Sequence, residues 1–227
     1  MSIAPEPSRP LSPAAKAMRF LRLLLRPAVA RKLGTLVTEG YLARTGWVRS
    51  VQTGKVVGED QQALPWLTYP CVDFLAPRLG ADWQVFEFGA GASTLFFSQR
   101  VHAVTSVEHD EVFATSLRGK LPAHARLLVR RAGSETYAGA LWECPQPPDL
   151  VLVDGVDRPQ CLDVALQCLS AKAVLVLDDA EREEYSESIG RLKKAGYRGL
   201  EFWGLAPGVV TSKCTMVFYR PENVLGL

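Results

Sequence analysis

Two acids, Glu87 and Glu108, stand on either side of a Gly89-Ala90-Gly91-Ala92-Ser93 bend in the stretch QVFEFGAGASTLFFSQRVHAVTSVEHD. Glycine at 89 and 91 lets the backbone turn sharply and approach a ligand closely, where a Cβ would collide. A helix beginning near Ser93 aims the unpaired N–H groups of its first turn at whatever occupies the bend. Glu108 follows Gly89 by nineteen positions, at the end of a second apolar run. There a carboxylate can accept hydrogen bonds from two ribose hydroxyls. Strand, glycine turn, helix, strand and acid, in that order, build a pocket for a nucleoside-bearing cofactor.

The residues around the bend narrow the choice of nucleoside. A dinucleotide site prefers G-x-G-x-x-G, with a third glycine for tight helix–strand packing. Here Gly91 is followed by Ala92, Ser93 and Thr94. Glu87 precedes the bend, where its charge repels a pyrophosphate and attracts an ammonium. S-adenosylmethionine carries an amino acid, a sulfonium and an adenosine but no phosphate. The E-x-G-x-G pattern favours it over a nicotinamide dinucleotide.

More carboxylates fall at predicted carboxyl ends of strands, where ligands of such sheets bind. They are Asp154 and the Asp178-Asp179 pair, and three roles are open to them. Asp154, Asp178 and Asp179 can hold a hard cation such as Mg²⁺, which takes oxygen ligands and activates a bound hydroxyl. Without a metal, Asp154 or His109 acts as general base. Alternatively, Asp178 and Asp179 orient the substrate or cap a helix ahead of Glu181. His109 either lines the adenosine pocket or is a surface residue at a strand end. Trp66 and Tyr69 cover the cofactor, stack on substrate or pack in the core. Arg130-Arg131 can meet an anionic substrate, whereas Trp142 and Trp203 read as packing residues.

The elements that position these groups alternate. Strands are predicted at 84–88, 103–108, 125–130, 150–154, 173–178, 200–203 and 214–220, with helices at 71–79, 93–100, 111–121, 137–143, 159–169 and 181–195. LVLVD and AVLVLD are continuous apolar runs, as in strands buried on both faces of a parallel sheet. The last two strands, separated by residues 205–213, can form a hairpin. The expected fold is α/β, a doubly wound Rossmann-like sheet of seven strands, mostly parallel with an antiparallel last strand. A helical N-terminal extension precedes it. Residues 1–13, with four prolines, read as a disordered tail. Residues 14–63 read as a basic helical extension or lid, and 64–227 as the cofactor-binding domain. A helix over 14–33 should break or kink at Pro27.

Composition is that of an ordinary globular chain, 48% hydrophobic and 22% charged over 227 residues. No run reaches the roughly 18 apolar residues a membrane span needs. Ala28-Val29-Ala30 has the look of a leader cleavage site, but Arg22 and Arg26 interrupt the apolar stretch before it. Five cysteines without a C-x-x-C pair read as reduced thiols of a cytoplasmic protein. The net charge of +2 is unevenly placed: residues 1–50 hold nine Lys or Arg against Glu6 and Glu39. Such a basic front is either a solvated helix face or a contact for something anionic. A basic amphipathic helix over 14–33 fits peripheral contact with a membrane surface. Oligomeric state is not legible.

The chain resembles the class I S-adenosylmethionine-dependent methyltransferases, and within them a bacterial group in which W-L-T-Y-P precedes E-F-G-x-G-x-S-T-L. The similar residues are Trp66 to Pro70, Glu87 to Leu95, Ser106 to Asp110, Leu152-Val153-Asp154-Gly155 and Val217 to Arg220. The match spans about 64 to 220. The resemblance implies that Glu87, Gly89, Ala90 and Gly91 cradle the methionine part, with Ser93 and Thr94 on its carboxylate. It implies Glu108 on the ribose, Asp154 facing sulfonium and nucleophile, and an adenine contact near 131–134, where this sequence has no acid. Asp154 with Asp178-Asp179 also resembles the acids of metal-dependent O-methyltransferases, which have Asn at the last position. The implied acceptor is a small molecule with a hydroxyl oxygen. Nucleic acid is disfavoured, because Asp154 is followed by Gly155-Val156 and no N-P-P-Y or D-P-P-Y motif occurs. Two alternatives are a non-catalytic binding protein of the same fold and a nicotinamide oxidoreductase. The latter lacks a Y-x-x-x-K pair, since Tyr185 is followed at the fourth position by Ile189.

Overall fold

The computed structural model describes residues 11–227. The predicted tail therefore lies, for residues 1–10, outside the described residues. Those described divide into two compact units, 11–44 and 45–227.

The first unit holds helices α1 (Pro13–Leu24), α2 (Pro27–Thr38) and α3 (Tyr41–Arg44). Ser12 caps α1, its Oγ accepting from Ala15 N at 3.2 Å. The predicted break falls where expected: α1 stops at Leu24, and Pro27 opens α2. Proline suits that first position because its missing N–H would have no helical partner there. α2 runs past the predicted end at 33 to Thr38, where Gly40 N closes on Thr35 O at 2.7 Å.

The second unit opens with α4 (Trp47–Thr53), flanked by Gly46 and Gly54 in the left-handed region, and α5 (Tyr69–Leu75). Strands and helices then alternate: β1 (Gln84–Phe88), α6 (Ala92–Ser98), β2 (Ala103–Glu108), α7 (Glu111–Arg118), β3 (Ala125–Val129), α8 (Glu135–Gly139), β4 (Leu150–Val153), α9 (Arg158–Cys168), β5 (Val174–Leu177), α10 (Ser186–Lys194), β6 (Arg198–Gly204) and β7 (Lys213–Tyr219). The seven strands form one sheet in the order β3-β2-β1-β4-β5-β7-β6. β1 to β5 run parallel, and β7 lies antiparallel between β5 and β6. This is the doubly wound, Rossmann-like class expected.

β4 and β5 are buried at every residue. Alternate side chains enter two cores, one on each face. Phe86, Phe88, Val151, Leu175 and Phe218 belong to one; Val85, Leu152, Val176 and Val217 join Leu75, Phe96 and Phe97 in the other. β6 is longer than predicted because it pairs with β7 along its full length, from Arg198↔Tyr219 to Gly204↔Lys213. The predicted helix at 181–195 begins only at Ser186. Asp179 adopts φ +54°, and Arg182 N bonds Asp179 O at 3.0 Å, so the chain turns before the helix starts.

β1 pairs with β2 on one side and β4 on the other, so strand order reverses there. Hydrogen bonds continue past the strand ends and bring the turns level. Gly89 N donates to Val107 O (2.9 Å), Asp154 N to Phe88 O (3.0 Å) and Asp178 N to Val153 O (3.2 Å). Gly89 sits at φ +91°, and a Cβ there would stand 2.9 Å from Gly155 Cα. A Cβ on Gly155 would meet Tyr137 Oη at 2.1 Å and Gly89 N at 2.7 Å. The two turns thus pack backbone against backbone. Gly155→Ala should cost about 2 kcal/mol or more in urea unfolding. Gly139→Ala, which meets nothing within 4 Å, should change stability by less than about 0.5 kcal/mol.

Candidate functional site

Glu87 and Ser106 are register partners on β1 and β2. By the alternation of the strands, Glu87, Ser106 and Glu108 all project from the face that carries α6. Glu87 is fully buried. Its Oε2 accepts from Ser106 Oγ at 2.7 Å, while its Oε1 has no hydrogen-bond partner among the described residues. Burial pushes the carboxyl up to about 7, against the pull of the Ser93, Ser106 and Thr94 hydroxyls.

Thr94 extends this network. Its Oγ1 lies 3.3 Å from Ser106 Oγ and accepts from Gly91 N at 3.0 Å. Thr94 is fully buried, and its hydroxyl shapes the bend from inside; Ser93 is also buried. Glu108 reaches the bend from the other side, its Oε2 accepting from Ala90 N at 3.2 Å. Oε1 accepts from His109 N (2.8 Å) and Asp110 N (2.9 Å), and His109 Nδ1 stands 2.7 Å away. Glu108 therefore holds the turn directly, and Glu87 is linked to it through Ser106 and Thr94. Gly91 leaves open space there: a Cβ would meet only Phe113, at 3.9 Å.

His109 is 43% exposed at the end of β2, and β1 separates it from the end of β4. It stands beside Glu108 and away from the aspartates. Tyr69 is buried, and its N–H donates to Leu205 O at 2.8 Å. Its main chain is thus fixed beside β6, four strands from β1 in the sheet order.

Asp154, Asp178 and Asp179 form a second group. Arg158 Nη2 donates to Asp154 Oδ1 at 3.0 Å, and its Nη1 reaches Asp178 O at 2.6 Å and Asp179 Oδ2 at 3.4 Å. Lys213 Nζ bridges Asp178 Oδ2 (2.8 Å) and Asp179 Oδ1 (2.6 Å). Thr215 Oγ1 donates to Asp178 Oδ1 at 2.7 Å, and Arg182 pairs with Asp179. Burial raises the carboxyl of Asp154, with Asp178 adding to the rise and Arg158 opposing it. Burial likewise raises Asp178 against Lys213. Burial also acts to raise Asp179, but Lys213, Arg158 and Arg182 outweigh it and hold that group below the usual range.

These contacts correct two expectations. The pair 178–179 does not cap a helix, because its side chains turn inward to cations. The donor set does not fit Mg²⁺ either, since a hard cation needs free oxygens and Lys213, Arg158 and Arg182 already hold four of the six. Among the described residues no group of three or more His, Cys, Asp or Glu is arranged to hold a metal.

Arg158 and Lys213 were not singled out from the sequence. Both had a signal: Arg158 opens the helix that follows the turn after Asp154, and the first residue of an antiparallel β7 must lie at the carboxyl end of its parallel neighbours. Asp157 was missed as well. The loop after β3 has no acid of its own, but Asp157 Oδ2, from the β4–α9 turn, accepts from Gly133 N at 2.5 Å. The W-L-T-Y-P segment is tied to the β6–β7 hairpin. Trp66 Nε1 donates to Pro207 O (3.0 Å), Thr68 Oγ1 to Phe202 O (2.9 Å), and Thr68 N to Thr215 Oγ1 (3.1 Å). The half-exposed Trp66 ring lies 6.0 Å from Lys213 Nζ.

Lys213→Met should destabilise the chain by about 3–5 kcal/mol at pH 7, because Asp178 is left buried and unpaired. The deficit should shrink as pH falls and Asp178 takes a proton. Urea unfolding across pH 5–8 checks this; a deficit independent of pH would place the effect elsewhere.

No family model matches the sequence, and no curated protein matches it either. Solved structures share the fold. A cofactor-bound protein from MTB, Rv0187, is 16% identical at a TM-score of 0.52, over 87% of this chain and 99% of that one. The O-methyltransferase TomG from Streptomyces achromogenes, involved in tomaymycin synthesis and solved with SAM, is 15% identical at 0.53, over 85% and 96%. A SAM-dependent O-methyltransferase from Thermotoga maritima is 12% identical at 0.51, over 76% and 69%. At these identities the likeness is one of fold.

Proposed function

We propose that the chain is an S-adenosylmethionine-dependent methyltransferase whose acceptor is a small molecule with a hydroxyl oxygen. The observation that carries this reading is the convergence of two buried acids on one glycine turn at the switch point of the sheet. The fold it shares with the SAM-bound O-methyltransferase TomG supports it. The residues present fit the cofactor. Glu87 keeps one buried oxygen without a partner among the described residues, so the bend lies over a carboxyl that an ammonium would hold ionised. Gly91 leaves room above the bend, and Glu108 sits where ribose hydroxyls would lie. Asp157 is placed to meet an adenine amino group beside Gly133. We assign cofactor binding to 64–227, with 14–63 as an extension.

When bound, the cofactor supplies a methyl group activated by a sulfonium. Chemistry then needs mainly an aligned acceptor and a place for its proton. Asp154, at the end of β4 beside Gly155, takes that proton. Its raised affinity for protons makes it a better base near neutrality, and Arg158 fixes its orientation. Asp178 and Asp179, bound by Lys213, position the neighbouring wall. His109 supports Glu108 at the cofactor end.

Calorimetric titration should show S-adenosylmethionine binding and no comparable binding of NAD; the reverse would overturn the assignment. Glu108→Ala should weaken binding about tenfold or more, by loss of charge-assisted hydrogen bonds. Because Glu87 is half protonated near pH 7, an incoming ammonium lowers its pKa and expels a proton. Titrations at pH 6 in buffers of different ionisation enthalpy should show proton release that fades as pH rises past about 8. Glu87→Gln should abolish that release.

A further inference from the structure

Residues 13–38 contain two helices whose surfaces the cofactor chemistry does not use. Taken by itself, their unit buries no residue of either helix. At 3.6 residues per turn, Ala14, Ala17, Met18, Leu21, Leu24 and Leu25 fall on one side of α1. Lys16, Arg19 and Arg22 fall on the other, with Leu23 among them, and Arg26 follows in the extended link to α2. Phe20 flanks the apolar side, and Met18, Phe20, Leu21 and Leu25 are each more than half exposed. α2 repeats the division, with Val29, Leu33, Leu36 and Val37 opposite Arg31, while Lys32 borders the apolar side next to Leu36. From 11 to 38 the chain holds six Lys or Arg and no Asp or Glu.

We propose that α1 and α2 together form a docking surface for an anionic lipid bilayer, lying in its headgroup plane. Two features select this occupant. A protein groove would cover the leucines but would have to neutralise a separate cationic face about each helix. A bilayer surface does both at once: apolar side chains enter the acyl boundary while Arg22 and Lys32, at the edges of the apolar sides, meet lipid phosphates. Lys and Arg stems reach from the sides of such a helix to the headgroups. No helix among the described residues is long and apolar enough to cross a membrane, so the contact is peripheral. Residues 13–38 carry this on their own, without reference to the cofactor.

The test is co-sedimentation of the intact chain with vesicles of phosphatidylcholine alone or with about 30 mol% phosphatidylserine. The intact protein should partition at least about tenfold better onto the anionic vesicles, and lose that preference in about 0.5 M salt. Arg19→Glu/Arg22→Glu and Leu21→Glu/Leu25→Glu should each reduce partitioning about tenfold or more. All four positions are exposed, so unchanged circular dichroism melts keep the comparison among folded proteins. Absence of binding by the intact chain would overturn the proposal, as would full binding by the leucine variant. Self-association without lipid that the leucine variant abolishes would also overturn it, by giving the face to a second copy.

Discussion

Two carboxylates on one face of a sheet, both removed from water, are expensive unless something positive meets them. Glu87 and Glu108 share this condition around the Gly89–Gly91 bend. Glu108 meets it with backbone N–H groups of Ala90, His109 and Asp110. Glu87 meets it only in part, through Ser106, and answers the remainder by holding a proton to higher pH. In the unfolded chain the proton would leave near 4.5; in the folded chain it leaves near 7. This group therefore favours folding in acid, and its contribution falls away between those values as pH rises. On the proposed reading, the ammonium of the cofactor would supply the missing charge above the bend.

The bend is also braced from the β4 side. Gly89 at φ +91° lies against Gly155, with Tyr137 beneath, so the ends of β1 and β4 are fused into one floor. That floor brings the Gly89–Gly91 turn next to Asp154. Beyond it, three carboxylates meet three cations, Arg158, Arg182 and Lys213. The result is a nearly neutral lattice in place of a divalent ion. It is tied through Thr215 to Thr68, and so to the W-L-T-Y-P segment. The glycine floor, Asp154 and the ion-pair lattice are thus continuous at one end of the sheet.

The fold was legible because its signals are local or periodic. Apolar runs gave β4 and β5, and the bend at Gly89 and the acid at 108 fixed the first half of the sheet. Pro27 marked its own break. What escaped depends on pairing between distant segments. The length of β6 follows from β7, and the late start of α10 follows from Asp179 turning toward Lys213 and Arg158. Read along the chain, Asp178-Asp179 before Glu181 has the form of a cap or a metal ligand. Only the hairpin, which returns Lys213 to the same sheet end, reveals an ion pair. Asp157 was hidden for the same reason, since it serves a loop that precedes it by some twenty-four residues. Tyr69 shows the converse: a motif residue whose main chain is pinned beside β6.

The most direct measurement is a crystal structure of the chain soaked with S-adenosylhomocysteine. The account predicts the amino group of the ligand over the Gly89–Gly91 bend on the Glu87 side, the ribose hydroxyls on Glu108, and the sulfur facing Asp154. A ligand bound elsewhere, or a bend filled by repacked side chains with none bound at saturating concentration, would contradict it.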